Sequence, residues 1–142
     1  MSKYYTNRLL RIATNQITHE LDLFAHKYDT TWMQMSVIDY LSRQQDDKEM
    51  FQRDIEREFL IQRSTATVLL QRMEKRDLLY RQSSTTDARQ KSVYLTDKSR
   101  NLETKINQFM NHQQKTLEDN FSSAEIATFE KILKFYVNGG EE

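Results

Sequence analysis

The sequence has no cysteine and no proline, and its two glycines stand side by side as Gly139 and Gly140. Without cysteine there is no disulfide framework, no thiolate metal site and no thiol redox switch. Without proline or internal glycine, no internal helix is closed by glycine, and a mostly helical protein follows. Long apolar runs are missing too: nothing approaches a membrane span, and the N-terminus carries no apolar signal core. The expectation is a cytoplasmic protein with no membrane partner. The histidines His19, His26 and His112 are scattered, so no metal site is expected. A glycine-rich phosphate loop, a Ser/His/Asp set and paired carboxylates in motif context are all lacking. The chain is therefore not expected to be an enzyme, to have catalytic residues or to need a cofactor.

What is present is charge, unevenly placed. The 142 residues suit one domain, and 21 basic residues balance 21 acidic ones. Net zero would argue against a nucleic-acid partner, but residues 61–100 hold nine Lys/Arg (Arg63, Arg72, Lys75, Arg76, Arg81, Arg89, Lys91, Lys98 and Arg100) against four acids. That segment is +5 and the remainder −5, so the chain is dipolar. Apolar residues make up 37%, too few for a thick core, which suits long amphipathic helices or a core shared between two copies.

The apolar spacing predicts six helices and one hairpin. Tyr5, Leu9, Ile12, Ile17, Leu21, Phe24 and Tyr28 form a first helical stripe. Thr31 and Gln34 form a capping box for a second helix, with Trp32, Met35, Ile38 and Leu41 inward and a polar end from Ser42 to Lys48. A short helix around 52–59 places Ile55 and Phe59 on one face. A turn at 60–62 then leads into a longer helix ending near Arg76. On that longer helix Ile61, Thr65, Val68, Leu69 and Met73 read as the inner side, and Arg63, Ser64, Thr67 and Gln71 as a polar side able to meet base edges or phosphates. Residues 79–83 and 91–95 pair as a hairpin, with Leu79, Val93 and Leu95 inward and Ser92 and Tyr94 outward. A small extra strand is expected near Met50-Phe51. Thr96 caps a fifth helix carrying Leu102, Ile106, Phe109, Met110 and Leu117. Ser122 and Glu125 open a sixth with Ile126, Phe129, Ile132, Leu133, Tyr136 and Val137. A basic hairpin directly after a helix-turn-helix is the wing of a winged-helix DNA-binding domain.

The fold class expected is mainly α: a winged helix-turn-helix core with a β-hairpin wing, flanked by terminal helices. The first, fifth and sixth helices carry apolar stripes that must be buried. They could pack on each other within one chain or against a second copy. A second copy is favoured, because a two-fold dimer meets a palindromic site twice, with its reading helices roughly 34 Å apart. The chain then forms one domain, 1–142, with a winged-helix region at about 31–98 and dimerisation helices at about 1–28 and 97–138.

The run from Arg53 to Lys98 resembles the MarR family of bacterial transcriptional regulators. The resemblance rests on the wing signature Asp87-Ala88-Arg89-Gln90-Lys91-Ser92-Val93-Tyr94-Leu95-Thr96. It extends to the preceding helix through Ser64-Thr65-Ala66-Thr67 and Arg72-Met73-Glu74-Lys75-Arg76-Asp77-Leu78-Leu79. Helix order and length agree over essentially the whole chain. The family usually has glycine where Asp77 and Ser99 stand, a glycine or small residue where Leu60 stands, and often serine, a better cap, in place of Gln62.

The resemblance implies a sequence-specific DNA-binding regulator, a repressor acting as a homodimer on double-stranded DNA. Its reading helix enters the major groove and its wing tip the adjacent minor groove. By position Ser64, Thr65, Thr67 and Gln71 approach bases or phosphates with Arg63 and Arg72 flanking, and Arg81 and Lys91 hold phosphates. Arg89 is the wing-tip residue, since a narrow minor groove attracts arginine. Asp87 either orients Arg89 or simply forms the turn. Family members commonly release DNA on binding a small aromatic or anionic effector. His19, Trp32, Met35 and Tyr40 are the candidate pocket residues, although plain core packing accounts for each of them as well. The alternative function is a winged-helix protein-interaction module without DNA binding, against which the retained Arg89, Lys91 and polar helix argue.

Overall fold

The computed structural model describes residues 5–44 and 48–140, so part of the expected polar run from Ser42 to Lys48 lies outside the described residues. The chain order is α1 (Thr6–His26), α2 (Trp32–Ser42), α3 (Gln52–Phe59), α4 (Arg63–Lys75), β1 (Leu79–Ser83), β2 (Lys91–Leu95), α5 (Asp97–Asn120) and α6 (Ser123–Val137). Two compact units result, residues 1–103 and 104–142.

The first unit holds the buried core, built from Met35, Val37 and Ile38 of α2, Ile55 of α3, Ala66, Leu70 and Met73 of α4, and Leu79, Val93 and Leu95 of the hairpin. Thr31 and Gln34 cap α2 reciprocally, each backbone N–H donating to the other's side-chain oxygen at 3.1 Å. The C-terminal end of α1 lies against the start of α2: the Trp32 amide donates to Asp22 Oδ1 at 3.3 Å, and the Phe24 and Trp32 rings meet edge to face. Farther back, Leu9, Ile12 and Ile17 of α1 are about half exposed.

With no glycine available inside the chain, three left-handed residues among those described turn it out of its helices: Asp29 (φ 54°), Leu60 (φ 51°) and Asp77 (φ 58°). After each, the next amide reaches back five residues to close the helix end: Thr30 to Ala25, Ile61 to Glu56 and Leu78 to Met73, at 2.9–3.2 Å. Gly139, at φ 71°, does the same for α6. A Cβ in this region costs roughly 1–2 kcal/mol, so the surroundings must hold it. At Asp77 they do. Thr96 Oγ1 donates to its carbonyl at 2.6 Å, Lys98 Nζ donates to the Arg76 carbonyl at 2.8 Å, and Arg76 Nη1 donates to the Asp29 carbonyl at 2.5 Å. Ser99, in place of the family's glycine, is buried and donates its hydroxyl to the Leu78 carbonyl.

The wing pairs antiparallel in the register Leu79 with Leu95, Tyr80 with Tyr94 and Arg81 with Val93. Leu79, Val93 and Leu95 face inward as expected, but Ser92 is fully buried rather than outward. Simple alternation assumes one wet face. Here the Met50 segment runs along the free edge of β2, its carbonyl accepting the Val93 amide at 2.8 Å. That bond stands in place of the extra strand expected near Met50-Phe51, because Phe51 already occupies the N-cap position of α3, its amide donating to Asp54 Oδ2 at 2.8 Å. The inner side of α4 also differs from the sequence reading. Ala66, Leu70 and Met73 are buried, at the i, i+4, i+7 spacing of one helical face, while Thr65 and Val68 point outward. Alanine does not stand out as a core residue by hydrophobicity, and valine does, which rotated the expected stripe by about one position.

In the second unit, Ser122 and Glu125 cap α6 through reciprocal bonds of 3.0 and 3.1 Å. Within it Leu117, Phe121, Ile126 and Phe129 line a cleft of about 400 Å³. Phe129, Ile132, Phe135, Tyr136 and Val137 of α6 remain exposed.

Candidate nucleic-acid interface

The start of α3, the start of α4 and one side of the wing, its loop included, enclose an open groove of about 670 Å³. Arg53, Arg63, Arg81, Arg89 and Lys91 are in its lining, with Glu56 as the acid among them. Such a set of guanidinium and ammonium groups suits a phosphate backbone. Gln52 fixes one wall. Its Nε2 donates to Thr67 Oγ1 at 3.0 Å and to the Arg63 carbonyl at 3.3 Å, tying the first residue of α3 to the N-terminal end of α4. Thr67 Oγ1 in turn donates to the Arg63 carbonyl at 2.9 Å. Gln62 contributes no side-chain cap to α4, as its residue type suggests. Arg53 lies 5.0 Å over the Phe51 ring, which holds the guanidinium at the groove edge.

Of the ten residues expected to meet DNA, Arg63, Thr67, Arg81, Arg89 and Lys91 line this groove. Ser64, Thr65, Gln71 and Arg72 stand exposed on the outward side of α4. Val68, 45% exposed, lies among them and makes an apolar spot on an otherwise polar face. Arg81 is only 22% exposed and forms an ion pair with Glu74, so its charge is largely spent bracing the wing against α4. The Arg89 side chain is 91% exposed and is paired with Asp87: Oδ1 of Asp87 accepts the Arg89 backbone amide at 3.0 Å and Arg89 Nε at 3.3 Å. Asp87 therefore shapes the turn and aims the arginine with the same oxygen, joining the two roles that the sequence left open.

Neither Gln52 nor Arg53 stands out in the sequence, since a Gln-Arg pair at a helix start is ordinary. Glu49 was missed as well. Its carboxylate accepts Ser84 Oγ at 2.6 Å, the Thr85 amide at 2.7 Å, Thr85 Oγ1 at 2.9 Å and Thr86 Oγ1 at 3.1 Å. The Ser84 hydroxyl and the Thr85 amide hold this carboxyl down to about 2.

The four candidate pocket residues lie elsewhere. His19 is exposed on α1, Trp32 packs with Phe24, Met35 is buried, and Tyr40 meets Phe59 edge to face at 5.8 Å. Desolvation, then Asp54 and Glu58, raise the Tyr40 phenol above its usual value. None of the four lines the basic groove. Among the described residues no cluster of three or more His, Cys, Asp or Glu could hold a metal ion, and no helix is long and apolar enough to cross a membrane.

Residues 28–90 match the sequence model of the MarR family. The crystal structure of the transcription regulator MarR from Oenococcus oeni PSU-1 is 49% identical, with a TM-score of 0.82, 94% of this chain and 99% of that one being covered. At 22% identity, the S. aureus MepR–DNA complex superimposes with a TM-score of 0.88 over 98% of this chain and all of its own. The transcriptional regulator SlyA, 17% identical, gives 0.82 over 96% and 95%. No curated protein sequence matches the chain. Identity near one half over almost the full length, on a winged helix with this wing, settles the matter: the chain belongs to the MarR family, whose members are transcription regulators and not enzymes.

Proposed function

We propose that this chain binds duplex DNA sequence-specifically as a cytoplasmic, homodimeric repressor on a palindromic operator. The observation that carries the reading is the basic groove of α3, α4 and wing, continuous with the exposed polar side of α4. In this arrangement α4 enters the major groove. Ser64, Thr65 and Gln71 reach base edges, and Val68 offers an apolar contact for a thymine methyl. Arg53, Arg63, Arg72 and Lys91 neutralise phosphates, and Arg89 enters the adjacent minor groove. Thr67 and Arg81 act mainly by holding the walls, since their polar atoms already face Gln52 and Glu74. That a MepR structure of the same fold is a DNA complex supports this placement. The half-exposed Leu9, Ile12 and Ile17 of α1 and the exposed Phe129 and Ile132 of α6 support burial against a second copy. Release of the operator by a small aromatic or anionic effector near His19, Trp32, Met35 and Tyr40 completes the proposal.

The test is selection of bound duplexes from random DNA, followed by anisotropy titration of the recovered site. Arg89→Ala should weaken binding at least about tenfold, and log affinity should fall steeply with log salt as several phosphates lose their counterions. Unchanged affinity in Arg89→Ala removes the wing from the interface.

A further inference from the structure

We infer that Glu49 is a positioning residue for the wing, setting where Arg89 is presented without itself approaching DNA. The inference rests on the DNA-binding reading above and carries it to a residue outside the interface. Glu49 stands in the connector between α2 and α3, one residue before Met50, whose carbonyl is bonded to Val93 of β2. Its carboxylate gathers the start of the wing loop, accepting from Ser84, Thr85 and Thr86.

The bonds continue to the tip. Ser84 Oγ, which donates to Glu49, accepts the Asp87 amide at 3.2 Å and the Thr86 amide at 3.1 Å. The loop is closed behind them by Ser84 N–H to the Gln90 carbonyl and Gln90 N–H to the Asp87 carbonyl, both at 3.0 Å. Asp87 then accepts from Arg89. An unbroken series runs from Glu49 through Ser84 and Asp87 to the exposed guanidinium. Ser84 is buried, so the hydroxyl in the middle of the series is shielded from water that would compete for it.

Without this anchor the loop keeps its internal bonds but loses its tie to the connector before α3, so loop and arginine can shift together and the arginine that must enter a narrow groove loses its aim. An ionised carboxylate taking four protein donors ties the wing loop to the connector before α3, beside the Arg81–Glu74 ion pair that braces β1 against α4. Its low pKa agrees with a group that stays charged at every ordinary pH.

The experiment is a double-mutant cycle on the full chain, read by operator anisotropy and by amide exchange. Glu49→Ala should weaken operator binding about tenfold in the unaltered background and less than about twofold when Arg89 is already alanine. Glu49→Gln, which keeps an acceptor oxygen without the charge, should recover part of the loss. The Thr85 amide should exchange faster in Glu49→Ala, while amides of α3 and α4 keep their protection. Equal losses in both backgrounds, or unchanged exchange at Thr85, overturn the inference. Absence of duplex binding by the unaltered chain, with Thr85 still protected through Glu49, sinks the DNA reading and leaves the anchor standing.

Discussion

Replacing Leu60 by glycine should stabilise the first unit, although it deletes an entire apolar side chain. Leu60 sits in the turn between α3 and α4 at φ 51°, and 71% of it is exposed. A left-handed residue with a Cβ costs roughly 1–2 kcal/mol, which glycine avoids. Glycine gives back about 0.5–1 kcal/mol through its freer unfolded chain. With most of the side chain in solvent, little burial is lost, so the net gain is about 0.5–1 kcal/mol. For a chain of this size that raises Tm by about 2–4 °C. The control is Leu60→Ala, which removes the exposed apolar surface but keeps the Cβ and therefore the strain. Reversible denaturant or thermal unfolding followed by circular dichroism reads all three proteins. Glycine should exceed alanine, and alanine should stay near the unaltered chain. If glycine and alanine shift stability equally, the left-handed backbone carries no cost here, and the account of non-glycine helix ends fails.

Other consequences follow from the same geometry. Ser99→Ala leaves the Leu78 carbonyl without its buried donor and should cost about 1–3 kcal/mol in unfolding free energy; a loss under half of that would mean the hydroxyl is dispensable. The folded Glu49 carboxyl is depressed from 4.5 to about 2, so its stabilising contribution is complete above about pH 4.5 and fades as pH falls toward 2. Thr85 amide protection, corrected for intrinsic exchange, should hold from pH 7 to 5 and weaken only below about 4; loss near pH 6 would implicate another group.

The parts of the fold that were legible in the sequence are those written in local chemistry. Both capping boxes, at Thr31/Gln34 and Ser122/Glu125, occur where the spacing puts them, because each needs only side chains three residues apart. The hairpin runs over 79–83 and 91–95 for a similar reason: a polar loop interrupts two runs of β-favouring residues. Leu60 and Asp77, noted only as departures from a usual glycine, turned out to be two of the left-handed positions. What stayed hidden depends on contacts between distant residues. Ala66 is a core residue because α4 meets the rest of the first unit there, and Val68 is exposed because nothing covers it; neither fact is contained in a hydrophobicity scale. Glu49 and Ser84 are 35 residues apart, and no local pattern marks a surface glutamate as the partner of a loop serine. The same holds for Arg81, which sequence position assigns to phosphates and which Glu74 engages in the fold. Charge counting located the basic segment, but only the geometry shows that three of its cations, Arg76, Arg81 and Lys98, are engaged by partners within the fold.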